Sequence, residues 1–323
     1  MLHRMLYGIA LAAALLPAQQ LSLNGPVTGF VFDTPTHGFR ALIGFPGSAS
    51  LQPPAIAGFD AGFVAPRADY AIAIKAGHSS LVQGLGSAQP SISELAGVAG
   101  APDSVQWSAD GSVAALCSQA GNWIQPITGL PDQPVAGDVV DLSAFSGTLT
   151  SVAIDRTGNW IAAGFAGDGV FLKTPGQPFV PALQVANPVA LAFSAGAHTL
   201  YVVDAAAPQL LRLNTADFSA QSGPLEGLSD PVAVASGKDL DNRDVVYVAG
   251  RNDHLFRIYD SSTYDVLADL PLDFAPDRIV PLRGLSYALD ARQNEGDPLW
   301  VFSNAPAAAV FFVPAPASVE AGQ

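Results

Sequence analysis

One cysteine and two methionines in 323 residues leave this chain without a disulfide of its own. A single thiol cannot form an intramolecular bridge, so the fold must be held by apolar packing and hydrogen bonds. Bases are scarce as well: 14 Lys and Arg stand against 28 Asp and Glu, for a formal net charge of −14. A field of that sign repels nucleic acid and anionic bilayers, which argues against both as partners. Glutamate is nearly missing, at four residues against 24 aspartates. Aspartate bonds its own backbone in turns, so the imbalance points to turn chemistry. No apolar run beyond the first twenty residues approaches the length of a membrane helix. The motifs G-x-S-x-G, H-E-x-x-H and C-x-x-C and the phosphate-cradling glycine loop are also lacking, which removes the commonest hydrolase, zinc-protease and nucleotide signatures.

What is present is a repeat of about 40 residues. An alternating apolar strand, a Gly or Asp turn, a second apolar strand and a third strand recur, most clearly in Val189–Asn214 and Val232–Asp260. One small sheet cannot bury both faces until neighbours stack on it, so this period predicts an all-β chain folded as a β-propeller. Anchors for the innermost strand fall at Phe63, Val105, Val152, Leu191, Val234 and Ile279, separated by 42, 47, 39, 43 and 45 residues. Four of these anchors follow a proline by three residues, at Pro102, Pro188, Pro231 and Pro276. Proline cannot donate to a central ladder, so each one marks the crossing from an outer strand to the next innermost strand.

The first hairpin, Gly29–Asp33 with Phe39–Gly44, reads as the outer half of a blade, and Leu299–Ser303 with Val310–Ala315 supplies late strands. The spacing predicts seven four-stranded blades, with six as the alternative and the two chain ends meeting in a closing blade. No linker or low-complexity stretch divides residues 21–323, which read as one domain. A closed ring leaves few free edges, which favours a monomer.

Residues 1–20 are a separate object. Met1–Arg4 carries one positive charge, Leu6–Leu16 is uninterruptedly apolar, and Pro17–Gln20 breaks the run. Eleven apolar residues are too few to span a bilayer and suit a secretory signal peptide, with cleavage after Ala18. The expected location is periplasmic or extracellular.

Polar residues stand just before each innermost strand: Asp60, Asp103, Thr150, Asn187, Asp230 and Asp277. In a propeller these connections converge on one mouth of the axial channel, where a partly acidic ring would attract a cationic ligand or calcium. Turn capping beside a proline is the competing reading of the same residues. Asp239, Asp241 and Asp244 alternate like the acids of a calcium loop, but without the turn glycine and distal Glu they also read as a solvated loop. No cofactor is otherwise expected. Cys117 lies in an apolar strand as a small buried thiol. His37, His78 and His198 fall in turn contexts and His254 opens a strand, while Trp107, Trp160 and Trp300 read as packing residues and Trp123 as the likeliest rim aromatic.

The segments NPVALAFSAGAHTLYVVDAAAPQLLRLN and DVVYVAGRNDHLFRIYDSSTYDVLADLPL resemble the YVTN β-propeller repeat, carried by Phe193-Ser194, Leu200-Tyr201-Val202 and Ile258-Tyr259-Asp260. The resemblance implies a surface or periplasmic binding propeller. Lactonase-like propellers are similar more distantly, but they place Arg and His where Pro188 and Pro231 here are followed by Val-Ala. Two functions stay open: an exported, non-catalytic scaffold for a protein or glycan partner, or a metal-assisted hydrolase working at the acidic mouth. If the leader is read correctly, N-terminal sequencing of the chain recovered from an exporting bacterium will begin at Gln19; a chain retaining Met1 would contradict it.

Overall fold

The computed structural model describes residues 25–196, 198–290, 292 and 294–315. The leader expected at residues 1–20 lies outside them. Apart from a 3-10 turn at Thr34–Thr36, every regular element among the described residues is a strand. Seven sheets, each a contiguous piece of chain, form the ring of a seven-bladed propeller.

Blade 1 holds Val27–Asp33, Gly38–Ile43 and Ser50–Ala57. Blade 2 runs from Ala61–Val64 through Ala71–Lys75 and His78–Gln83 to Ser91–Glu94. Blades 4, 5, 6 and 7 repeat that order, opening with Thr148–Ile154, Pro188–Phe193, Pro231–Lys238 and Val280–Pro281 respectively. In blade 3, which opens with Ser104–Trp107, two short strands share the outer edge of Trp123–Thr128. Pro126 lies between the two pairings, and with no N–H to offer it leaves its carbonyl to Gly137 N–H at 2.8 Å.

The second strand of each blade shows why the ring forms. Ala71–Ile74, Ala114–Ser118, Ile161–Phe165 and Val245–Gly250 are buried without a break, so both faces of these strands need cover. Neighbouring blades provide it. Each of the seven seams has its own apolar cluster, such as Ile72 and Leu81 with Val105 and Leu116 between blades 2 and 3, and Leu200 and Val202 with Ala162 and Leu172 between blades 4 and 5. Glycine permits the closest approaches: a Cβ at Gly62 would overlap the rings of Phe32 and Phe39 across the seam between blades 1 and 2.

The first and last described strands lie in neighbouring blades, and among the described residues they share no sheet. Leu299–Ser303 and Ala309–Val313 complete a sheet with Val280–Pro281 and Ser286–Ala288, while among the described residues Val27–Asp33 pairs with Gly38–Ile43. Leu42 and Leu51 of blade 1 pack against Leu282, Leu299 and Val301 of blade 7. Thr28 O accepts Arg283 N–H at 2.8 Å across the same seam. At its other end the fully buried Asp33 carboxylate accepts Arg40 Nε at 2.8 Å, Arg292 Nη1 at 2.5 Å and the Thr36 hydroxyl at 2.6 Å. Burial pulls the Arg40 guanidinium below its ordinary pKa, with Asp33 opposing the effect and Arg292 adding to it. Asp33→Ala strands two buried guanidiniums without a counter-ion and should cost about 3–5 kcal/mol, read as a lowered urea midpoint. An unchanged midpoint would remove this cluster from ring closure.

Candidate binding site at the channel mouth

All six anchors line the channel on the propeller axis. Its wider part has a volume of about 580 Å³ and opens at the end where the chain enters the innermost strands. A smaller cavity of about 180 Å³ lies towards the other end, beside Ser108 and Ser236.

Of the six polar residues expected at the mouth, Asp60, Asp103, Thr150 and Asp277 border the channel, whereas Asn187 and Asp230 are outside its lining. The ring is therefore acidic at blades 2, 3 and 7 and apolar at blades 5 and 6, where Val189 and Val232 line the channel. Much of the carboxylate chemistry is internal. Asp60 Oδ2 accepts Ala76 N–H at 2.7 Å, and Asp103 Oδ2 accepts Gln119 N–H at 2.6 Å, each tying the start of an innermost strand to the turn beyond the second strand. In blades 4, 5 and 6 the bond runs the other way. Asp168, Asp204 and Asp253 sit in or beside that turn and accept the N–H groups of Gly147, Asn187 and Asp230, at 2.7, 3.0 and 3.0 Å.

Four charged residues join the mouth that the repeat pattern did not single out: Asp33, Arg278, Asp290 and Arg292. Arg278 forks onto Asp277 with bonds of 3.0 and 3.1 Å. The Asp290 carboxylate accepts Trp300 N–H at 3.1 Å. Burial, reinforced by Asp277 and Asp297 and opposed by the Trp300 bond and Arg278, pushes the Asp290 carboxyl up to about 6. None of the four stands at a position that the repeat pattern marks: Asp33 ends the first strand of the opening hairpin, Arg278 precedes Val280–Pro281, and Asp290 and Arg292 fall between Ser286–Ala288 and Leu299–Ser303.

Asp239, Asp241 and Asp244 lie in a turn whose cations are built in. Arg243 reaches Asp239 at 2.7 Å and Asp241 at 3.5 Å, and Lys238 reaches Asp244 at 2.8 Å. Asp239 is held below its usual carboxylate range by bonds from Arg243 and the Asp241 N–H, against a burial effect of opposite sign. Among the described residues no group of three or more His, Cys, Asp or Glu is arranged to hold a metal ion. Burial pushes the Cys117 thiol up to about 12, so it has no thiolate character at neutral pH. All four tryptophans pack against seam clusters, Trp123 included. Trp300 belongs to the third strand of its blade and stacks on Phe274 at 4.5 Å.

No family model and no curated protein matches the chain. Solved structures do. The Cps50 (Swd1) β-propeller domain of Myceliophteria thermophila is similar at a TM-score of 0.56 and 12% identity, over 80% of this chain and 87% of that one. Sqt1 of Chaetomium thermophilum is similar at 0.53 and 15% identity, over 88% and 82%. A chain of the nidogen/laminin complex follows at 0.51 and 16%, over 77% and 92%. Of U3-55K the chain spans only 60%, at a TM-score of 0.49. At these identities the likeness is one of fold.

The raised pKa of Asp290 fixes a sign. The folded state keeps this proton to higher pH than the unfolded chain, so the carboxyl is tolerated when neutral. Its cost grows between the ordinary value of 3.8 and about 6, and is complete above that. Asp290→Asn should therefore raise the melting temperature at pH 7.5 by about 2–4 °C and leave it unchanged near pH 4. A variant less stable at pH 7.5 would show that the ionised carboxylate is needed there.

Proposed function

We propose that this chain is an exported, non-catalytic β-propeller of the YVTN-repeat type that acts as a binding scaffold for a protein or glycan partner outside the cytoplasm. The observation that carries this reading is the use made of the mouth carboxylates. Asp60, Asp103, Asp168, Asp204 and Asp253 fasten strand starts to neighbouring turns, which makes the mouth a rigid frame. Rigid frames that carry variable loops suit recognition. The YVTN assignment is supported by where its residues fall. Phe193 closes an innermost strand, Leu200-Tyr201-Val202 lies in a second strand, and Asp260 ends a third and accepts Ser262 and Thr263 N–H at 2.8 and 3.1 Å.

Metal-assisted hydrolysis at the mouth is the second reading, and one observation favours it. A carboxyl with a pKa of about 6 stands among other acids and Arg278 in an open cavity, as a general acid would. One experiment separates the two. Purified protein is melted with and without excess chelator, analysed for calcium, and assayed against a panel of lactones. Scaffold function predicts no chelator shift, no stoichiometric calcium and no turnover. Lactone turnover that is lost in Asp277→Asn or Asp290→Asn would replace the scaffold reading with the hydrolytic one.

A further inference from the structure

A ring of blades still leaves each blade one outward edge, that of its outermost strand, and such an edge invites pairing with another chain unless it is blunted. Six of the seven are blunted. Ser50–Ala57 carries Pro53 and Pro54, Val180–Leu183 carries Pro181, Ala220–Pro224 ends in a proline, and Val266–Pro271 holds both Asp269 and Pro271. Ser91–Glu94 is four residues long and ends in a charge, and blade 3 divides its edge between two strands of two residues. Proline has no N–H to give a ladder, and a charge or a break resists a new neighbour. Blade 7 is the exception. Its outermost strand, Ala309–Val313, reads AVFFV, with no proline, charge or break, and each of its residues is paired with Leu299–Ser303 on the inner side. Among the described residues no strand pairs with its outer side.

The wall around that edge is apolar and uncharged. Phe45 is 68% exposed and Phe312 61%, more than any other large hydrophobic residue among those described. Both belong to this wall. Phe312 stands beside its cross-strand partner Trp300, with ring centroids 6.0 Å apart, and Trp300 in turn stacks on Phe274. Phe45 opens a tight turn of blade 1, where its carbonyl accepts Ser48 N–H at 2.9 Å, and a Cβ at Gly47 in that turn would lie 3.3 Å from the Phe311 ring. Neither 41–59 nor 298–315 contains an Asp, Glu, Lys or Arg. In a chain of net charge −14, a body of like charge meets little repulsion here.

We propose that Ala309–Val313 is the contact between two copies of this chain, paired antiparallel across a twofold axis through Phe311. The strand is complementary to itself in that register. Ala309 of each copy meets Val313 of the other, Val310 meets Phe312, and Phe311 meets Phe311. Every residue is then paired, a smaller side chain faces a larger one at each position off the axis, and no like charges stand opposite one another. Side chains alternate across a sheet, so both copies of Phe311 fall on the face that Val313 turns to blade 1, flanked by the Phe45 turns. The Val310 and Phe312 pairs fall on the face turned to blade 6. The occupant is a second copy because the complement this edge calls for is the edge itself, and the contact leaves the channel mouth of each copy free.

Sedimentation velocity of the full chain over a concentration series tests this. A reversible dimer is expected. Phe312→Lys, at a position more than half exposed, should weaken it by about 10-fold or more without lowering the melting temperature. Leu240→Lys, similarly exposed but in a turn of blade 6, should leave the association constant as it is. In a Cys117→Ala background, Phe311→Cys should oxidise to a disulfide between copies, whereas Phe312→Cys, off the axis, should not. A chain that stays monomeric throughout the series would overturn the proposal. So would a dimer that Phe312→Lys leaves intact, or amide protection over 309–313 that does not rise with protein concentration, which would place another segment of the same chain on the edge.

Discussion

Everything in this propeller depends on the apolar seam between neighbouring sheets. A sheet of short strands with two apolar faces and no helix to cover either one is stable only between two others, and seven such sheets satisfy one another by forming a ring. The seam clusters explain the composition of the second strands, which are buried on both faces and read as continuous runs of Ala, Val, Ile and Leu. They also explain the small residues near the axis. Ala71, Ala73, Ala114, Ala162 and Ala163 are buried where wedge-shaped blades crowd together, and Gly62 stands where even a methyl group would meet two phenylalanine rings.

The acidity of the chain is largely architectural. Aspartates fasten the mouth from both directions, forward from the innermost strand at Asp60 and Asp103, and back from the second turn at Asp168, Asp204 and Asp253. Others close surface turns on their own backbone, as Asp141, Asp217 and Asp260 do with the residue two positions on. Hydrogen bonds of this kind favour the ionised form, and all three carboxyls are lowered by them. Against this background Asp290 differs, because burial outweighs its single backbone bond.

Much of the fold was legible because its signals are local. A period-two apolar pattern fixes a strand, and proline at the start of a strand fixes where one blade hands over to the next. Pro188 and Pro231 therefore begin innermost strands as expected. The first hairpin read as the outer half of a blade, yet Phe30 to Asp33 of its first strand border the channel, because an evenly apolar strand does not tell its place in the sheet. The mouth was only partly legible. Sequence places Asn187 and Asp230 beside a strand start, but the first channel-facing side chain there is set by the backbone path, which turns Val189 and Val232 inward. Asp290 and Arg292 escaped notice because they come from the turn after a second strand, where the repeat pattern marks no channel-facing position. The way the ends meet was equally hidden, since an Asp33–Arg292 contact leaves no periodic trace.

That contact joins positions separated by 259 residues. Closing so large a loop carries an entropic penalty that earlier blades do not face, because each of them assembles from adjacent hairpins. Blades 2–6 can form in order as the chain emerges, while the outer face of blade 1 waits, uncovered, for the last blade to arrive. For a chain that leaves a ribosome or crosses a membrane N-terminus first, the ring is an arc for nearly the whole of its birth. Its most aggregation-prone surface is the first one made.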